Sequence, residues 1–348
     1  MSKEDLDEKI VEYQQRTSRI PPIHRRSFFL LLTPEHTNMG DHAIAEAEKK
    51  FFHDYFPHNP LYEINYFHYV NDRENIKKKI KKRDVVVITG GGYLGSVWAE
   101  DDEMVRSIIR EFPDNEVVVL PQTIYYTEDA MCLFKDNIHD YENHHNLLFC
   151  VRDKGSDELI KEVDFAGKSR HMFMPDMVLY LNEAEIQLNR DVVGLSLRND
   201  REKVVDEKIE KEIISIIGKY GDIFSFNMLL DYSIGIDQRI DELRKKFDEF
   251  KKCKFVITDR LHAMLFATIT GTPCVAMDNL TKKVSGTYPW IEKVKYIQIC
   301  ESVDDLERII EVVLQSNSKY DNSFLKKNYD ELALQIKERF VKWRLLRG

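Results

Sequence analysis

The chain has 348 residues, enough for two domains at the usual ~100–200 residues each, and 43% of them are hydrophobic, which supports a sizeable core. A net charge of −9 argues against a general nucleic-acid binder, and five scattered cysteines without a CxxC pair fit a reducing compartment better than a disulfide framework. With an acidic N-terminus lacking a signal core, and no apolar run near the ~20 residues a bilayer requires, the expectation is a cytoplasmic protein with at most peripheral membrane association.

Residues 3–18 read as a polar helix broken at Pro21-Pro22, and Ser27–Leu32 as a fully buried strand. Asn38-Met39-Gly40-Asp41 follows. Ile44, Ala47, Phe51 and Tyr55 then keep helical spacing, so Asp41 is expected to cap an amphipathic helix. A second strand is expected over Glu63–Tyr69. The charge run 76–83 reads as the solvated C-terminal end of a helix.

Asp84–Ile88 is a buried strand that runs into Thr89-Gly90-Gly91-Gly92-Tyr93-Leu94-Gly95. Consecutive glycines at the carboxyl end of a strand allow close backbone approach, either by a ligand or by a packed helix. The run satisfies GxGxxG, but a dinucleotide reading is disfavoured. It is not on the first strand, and no acidic residue closes the next strand, which leads into Pro121-Gln122-Thr123.

The alternation continues with a helix near 101–112, a strand 116–120, a helix near 128–138 and a strand 147–151. Arg152-Asp153 comes next, followed by a helix capped at Ser156. His139, His144 and His145 read as a solvated loop rather than a metal site. Met174–Leu179 suggests a short crossover strand, and the boundary between domains 1–185 and 186–348 is set near residue 185.

The second half restarts the pattern. A strand Val192–Leu197 ends in Arg198-Asn199-Asp200, and a helix 203–218, a strand 222–228 and a helix 237–252 follow. The strand from Phe255 then enters Thr258-Asp259-Arg260-Leu261-His262, and a helix over Ala263–Thr270 stops at Gly271. Thr258 or Asp259 is the expected N-cap. Arg260 and His262 would then lie in the first turn, where the dipole disfavours positive charge by ~0.3–1 kcal/mol each. That placement makes sense if an anion binds there; otherwise Asp259 simply pairs with Arg260. Cys274–Met277 is a further strand ending in Asp278, Lys282–Gly286 a loop, and Ser302 the cap of a helix that turns Leu306, Ile309, Ile310 and Val313 inward. The last helix, 323–345, is placed to cross back onto the first domain.

Two βα series imply an α/β protein of two facing doubly wound, Rossmann-like sheets. Ligands bind at the carboxyl ends of such strands, where Asp41, Gly90–Gly92, Gln122, Arg198, Arg260 and His262 all fall.

Several of these segments together resemble the polysaccharide pyruvyl transferase family. They are Asn38-x-Gly40-Asp41, Gly90-Gly91-Gly92, Pro121-Gln122-Thr123, Arg152-Asp153, Ser196-Leu197-Arg198, Asp259-Arg260-Leu261-His262-Ala263 and Lys283-Val284-Ser285-Gly286. The resemblance runs from about residue 30 to 290. It implies the fold of two-domain GT-B glycosyltransferases, phosphoenolpyruvate as donor, and a pyruvyl ketal placed on a sugar or lipid-linked saccharide. The donor would lie on the second domain and the acceptor on the first. Arg198, Arg260 and His262 carry over as donor-site residues, with Gly91, Gly92 and Ser285 beside them, and Asn38 and Gln122 facing the cleft.

Chemistry points the same way. A carboxylate and a phosphate require fixed cations, and the planar fork of arginine suits both. His262 is the candidate proton donor and Asp41 the candidate base, with a capping role equally open to Asp41. The reaction as drawn needs no metal or cofactor, and homo-oligomerisation is left open. Two other classes stay open. A nucleotide-sugar glycosyltransferase would need an acidic residue for the ribose, for which Asp278 is the available candidate. A catalytically silent stress protein is the other.

Overall fold

Apolar runs alternating with amphipathic helices build two parallel sheets in the computed structural model, which describes residues 3–21, 25–162, 170–184, 188–199, 202–316 and 318–345. The strands of the first sheet are β1 (Phe28–Thr33), β2 (Leu61–Asn65), β3 (Val85–Ile88), β4 (Gly91–Gly95), β5 (Glu116–Tyr125), β6 (Leu147–Val151) and β7 (Arg170–Phe173). Its helices are α1 (Lys3–Arg19), α2 (Met39–Tyr55), α3 (Tyr66–Lys79), α4 (Ala99–Glu111), α5 (Met131–Glu142) and α6 (Lys154–Glu162). The second sheet holds β8 (Val192–Ser196), β9 (Ile223–Ser225), β10 (Cys253–Thr258), β11 (Cys274–Ala276) and β12 (Ile297–Ile299). With it go α7 (Glu207–Ile217), α8 (Arg239–Lys251), α9 (Leu261–Thr270), α10 (Lys283–Thr287), α11 (Leu306–Leu314) and α12 (Lys326–Leu345).

Strand order is β2-β1-β3-β5-β6-β7, with β4 alongside β5, in one sheet and β12-β11-β10-β8-β9 in the other. Both are doubly wound. Chain direction across the sheet reverses between β1 and β3 and between β8 and β10, so each sheet has a switch point at its carboxyl edge. The two switch points face each other.

Successive strand residues serve opposite faces. Phe28, Leu30, Val85 and Val87 join a core shared with Val256, Cys274 and Ala276 of the second sheet, through α2, α9 and α12. Phe29, Leu31, Val86 and Ile88 enter a core belonging to the first sheet alone. The backbone also crosses between the sheets: Met39 N donates to Met228 O and Leu230 N to Thr37 O, each at 2.9 Å. Arg239 on α8 is fully buried, donating to Glu63, to His42 Nδ1 at 3.2 Å and to the Pro34 carbonyl at 3.3 Å. On α12, the Tyr329 hydroxyl donates to the Asp176 carbonyl at 3.0 Å. Among the described residues no helix is long and apolar enough to cross a membrane.

Local expectations fail where short-range signals compete. Asp41 is not the cap of α2; Asn38 is, accepting from Gly40 N at 3.1 Å. The strand expected over 63–69 ends at Asn65, whose side chain caps α3. Met177–Tyr180 forms a 3-10 turn capped by Asp176 instead of a strand, and β7, unsignalled in the sequence, precedes it. Asp153 rather than Ser156 caps α6, as Ser156 N donates to Asp153 Oδ1 at 3.0 Å. His139 lies on α5, and His144 is buried with Nε2 3.0 Å from the Phe112 carbonyl. Neither Thr258 nor Asp259 caps α9; Arg260 holds that position, and of the two basic side chains His262 alone enters the first turn. Lys283–Thr287 is helical rather than a loop. Gly91–Gly95 ladders against β5 as β4. The expected boundary near 185, Pro22 and Asp200 lie outside the described residues.

Candidate active site

The facing switch points enclose a cavity of about 540 Å³. Arg152 leaves the end of β6, Arg198 that of β8 and Arg260 that of β10, while Lys283 opens α10; all four line it. Their placement is determined by backbone contacts. Arg198 N donates to Asp259 Oδ1 at 2.8 Å, tying the loops after β8 and β10 together, and Arg260 N donates to Thr258 Oγ1 at 3.0 Å. Arg152 N donates to the Gln122 carbonyl at 3.1 Å, and the indole of Trp290 donates to the Arg152 carbonyl at 2.8 Å.

Asp176 and Glu202 are paired with members of this cationic group. Arg152 Nη1 donates to Asp176 Oδ2 at 2.6 Å, and Arg152 Nε to Thr123 Oγ1 at 3.0 Å. Burial would raise the Asp176 carboxyl, but Arg152, and after it His262, hold it down at about 2. Glu202 sits between Lys283 Nζ at 3.1 Å and Arg198 Nη2 at 3.2 Å. Burial pushes the Lys283 ammonium down, Glu202 opposes this, and Arg152 and Arg198 add to the fall. Lys283 Nζ also donates to the Gly92 carbonyl at 3.2 Å. A Cβ on Gly92 would approach Arg152 Nη2 to 2.7 Å.

His262 joins this group through Nε2, 3.3 Å from Arg152 Nη1 and 3.7 Å from Asp176 Oδ2. A guanidinium only donates, so the neutral ring accepts from Arg152 through Nε2. A protonated Nε2 would face the Asp176 carboxylate instead.

Acidic and aromatic residues line the same cavity. Asn38 Nδ2 donates to Asp41 Oδ2 at 2.8 Å, His36 Nε2 lies 3.6 Å from the same oxygen, and Asp101, Tyr66, Phe67 and Trp98 are also on the lining. Of the expected residues, Asn38, Asp41, Gly92, Arg198, Arg260 and His262 line the cavity. Gly91, Gln122 and Ser285 do not. Gln122 is buried and donates to the Thr89 carbonyl at 2.8 Å, while the exposed Ser285 donates to Asp278 outside the cavity.

The six expected residues on this lining span most of the segment that matches a known family model. Residues 38–281 match the model described as polysaccharide pyruvyl transferase. The chain belongs to the polysaccharide pyruvyl transferase family. It is 35% identical over 305 residues to General stress protein 30 of Bacillus subtilis, covering 84% of this chain and 86% of that one. It is 24% identical over 309 residues to Pyruvyl transferase 1 of Schizosaccharomyces pombe, covering 82% and 74%. A solved structure from Klebsiella pneumoniae matches with TM-score 0.54 and 17% identity over 87% of this chain and 100% of that one, a likeness of fold.

Four residues of this family member's site were not assigned roles from sequence: Arg152, Asp176, Glu202 and Lys283. Arg152 and Lys283 stand in segments that carry the family resemblance, which was the available signal. Asp176 follows a Met-Pro pair at the end of a short apolar stretch and gives no pattern of its own. Glu202 lies in a charged segment that reads as surface.

Proposed function

We propose that this chain transfers the pyruvyl group of phosphoenolpyruvate to two hydroxyls of a sugar, forming a ketal during polysaccharide synthesis. The observation carrying the reading is that Arg152, Arg198, Arg260, Lys283 and His262 all line a single cavity. A three-carbon donor with a carboxylate and a phosphate calls for such a set, because each oxyanion needs charge-assisted donors once water is excluded. Residues 186–348 would form the donor side and residues 1–185 the acceptor side, with Arg152 reaching across.

Protonation of the donor's methylene carbon makes a methyl group and leaves an oxocarbenium at C2. His262 supplies that proton. A sugar hydroxyl then adds to C2 and loses its proton to Asp41, which its bond from Asn38 holds facing the cavity. Cleavage of the C2–O bond, with the Asp41 proton passing to the leaving oxygen, releases phosphate to the cations. The second oxocarbenium takes the neighbouring hydroxyl, closing the ketal, and that hydroxyl's proton returns to His262.

The nucleotide-sugar alternative finds less support. Asp278 accepts from Ser285 and from Asn279 N at 3.1 Å and does not line the cavity. Glu202 does line it, but its oxygens are engaged by Lys283 and Arg198. Purified protein incubated with phosphoenolpyruvate and a panel of saccharides, lipid-linked ones included, tests the reading. Acceptor-dependent phosphate release with a ketal detected by NMR is the expected result. Consumption of a nucleotide sugar instead would replace this reading with the glycosyltransferase one. Calorimetric absence of phosphoenolpyruvate binding would overturn it in favour of a silent relative.

A further inference from the structure

Lys77–Arg83 is six basic residues and one isoleucine in a chain of net charge −9. The run lies where α3 ends and β3 begins, at the amino edge of the first sheet, opposite the edge that bears the cavity. The fold brings further cations to it. Lys79 Nζ donates to the Ile20 carbonyl at 2.7 Å and to the Ser18 carbonyl at 3.3 Å, which docks the end of α1, with exposed Arg19, against the run. The Asp84 carboxylate accepts from Lys81 N at 2.8 Å and from Ser27 N at 3.1 Å, which ties in the segment carrying exposed Arg25. Asn115 Nδ2 fixes the turn between α3 and β3 by donating to the carbonyls of Lys81 at 2.8 Å and Asp84 at 2.9 Å. With Ile80 buried, Lys78, Lys81 and Lys82 are left exposed.

Nearby carboxylates do little to offset this charge at the surface. Asp84 is buried and serves backbone N–H groups, and Glu116 is buried against Arg26. Exposed Asp114 faces Lys82 at 3.1 Å. Arg19, Arg25, Lys78, Lys81 and Lys82 thus reach solvent together from three separate segments. Gathered like charges repel one another, and an anionic surface relieves that cost.

We infer that this amino edge is a peripheral membrane-docking face, held by charge to a leaflet rich in anionic phospholipid. Exposed, strongly hydrated ammonium groups on long stems suit a fluid array of phosphates better than a bidentate fit to one. No large apolar residue is exposed between residues 74 and 84, so the contact is electrostatic and does not insert. The exposed aromatics Phe67, Trp98, Phe224 and Tyr232 lie in other segments, so the patch lacks the stacking platforms of a single-strand nucleic-acid binder. Docking through this edge leaves the cavity clear of lipid and is independent of the pyruvyl-transfer reading.

Flotation of the full chain with vesicles tests the face, using phosphatidylcholine alone or mixed in equal parts with phosphatidylglycerol. An acidic protein without such a patch is repelled by the anionic vesicles. The wild-type chain should float with the mixed vesicles at low ionic strength, stay behind with phosphatidylcholine alone, and be released by added salt. A basic residue near an anionic leaflet raises partitioning roughly fivefold. Lys78→Gln, Lys81→Gln and Lys82→Gln together should therefore weaken binding roughly 100-fold, and Arg19→Gln with Arg25→Gln roughly 25-fold. The same charge removed from the second domain, by Lys208→Gln, Lys211→Gln and Lys219→Gln, should change little. Unaltered thermal unfolding and phosphoenolpyruvate affinity in the variants would show that fold and cavity are intact. Equal losses in the second-domain control overturn the face, as does wild-type protein that ignores anionic vesicles. Retention on immobilised nucleic acid at the same salt, without vesicle binding, overturns it in favour of a nucleic-acid surface.

Discussion

The imidazole of His262 rests on Gly40. A Cβ built at Gly40 would fall 2.0 Å from Nδ1 and 2.3 Å from Cγ of that ring. Helix α2 thus carries a glycine in its first turn so that a residue from the opposite sheet can pack on its backbone. Gly→Ala on a helix ordinarily stabilises by ~0.4–1 kcal/mol, whereas overpacking costs ~1–3 kcal/mol. Gly40→Ala should therefore destabilise, and in a His262→Ala background the same change should cost little or nothing. Denaturant titration of the four proteins gives the coupling. Equal costs in both backgrounds would remove the contact from the account.

Arg260→Ala should weaken phosphoenolpyruvate binding by one to two orders of magnitude or more, since a charge-assisted hydrogen bond is worth ~1.5–3 kcal/mol. Arg260→Lys should recover only part of this, because the bidentate fork is lost. Calorimetry decides it, and an unchanged affinity in Arg260→Ala would end the assignment.

His262→Gln retains hydrogen-bonding capacity but cannot deliver a proton. Turnover should drop by roughly 10²–10⁴-fold while donor affinity changes little, the pattern of a group that acts in the transition state. Near wild-type turnover, with the same pH profile, would leave His262 a positioning role and move the acid elsewhere.

Glu48, behind the glycine run, accepts from Gly90 N and from the Thr89 hydroxyl, each at 2.7 Å. Burial pushes its carboxyl up to about 8; those two donors oppose the rise, and Asp176 and Glu63 add to it. The folded state therefore keeps a proton that the unfolded chain gives up near 4.5. The stabilisation is complete below that value and is lost as pH rises towards about 8. Wild-type stability should fall relative to Glu48→Gln across this window, by up to roughly 1.4 kcal/mol per pH unit, and run parallel to it above. Urea denaturation from pH 5 to 9 measures the difference. Parallel curves throughout would mean that Glu48 is ionised in the folded protein.

Patterns confined to one element were legible. Buried strands such as Val85–Ile88 and Phe255–Ile257 announce themselves by β-branched and aromatic runs. The stop of α9 at Gly271 follows from its left-handed φ of 70°, a conformation that costs glycine nothing. The caps were harder to assign. Asn38 and Asp41 both suit an N-cap, and choosing between them depends on which backbone N–H each side chain can reach.

The sequence by itself determined the alternation that forces two parallel sheets, and with it the carboxyl-end position of Arg198, Arg260 and Asp41. It also located a basic side chain, His262, in the first turn of a helix. Only the tertiary structure decided what these residues meet. Arg152 and His262 are 110 positions apart, Glu202 and Lys283 81 apart, and no local periodicity encodes either pairing. The first pair forms because two separate sheets turn their switch points toward the same space, and the second because the loop after β8 and helix α10 meet at the carboxyl edge of one sheet. The gathering of cationic, acidic and aromatic side chains on one lining is likewise a property of the assembled fold. Strand period records only which face of its own sheet a side chain takes, not what stands opposite.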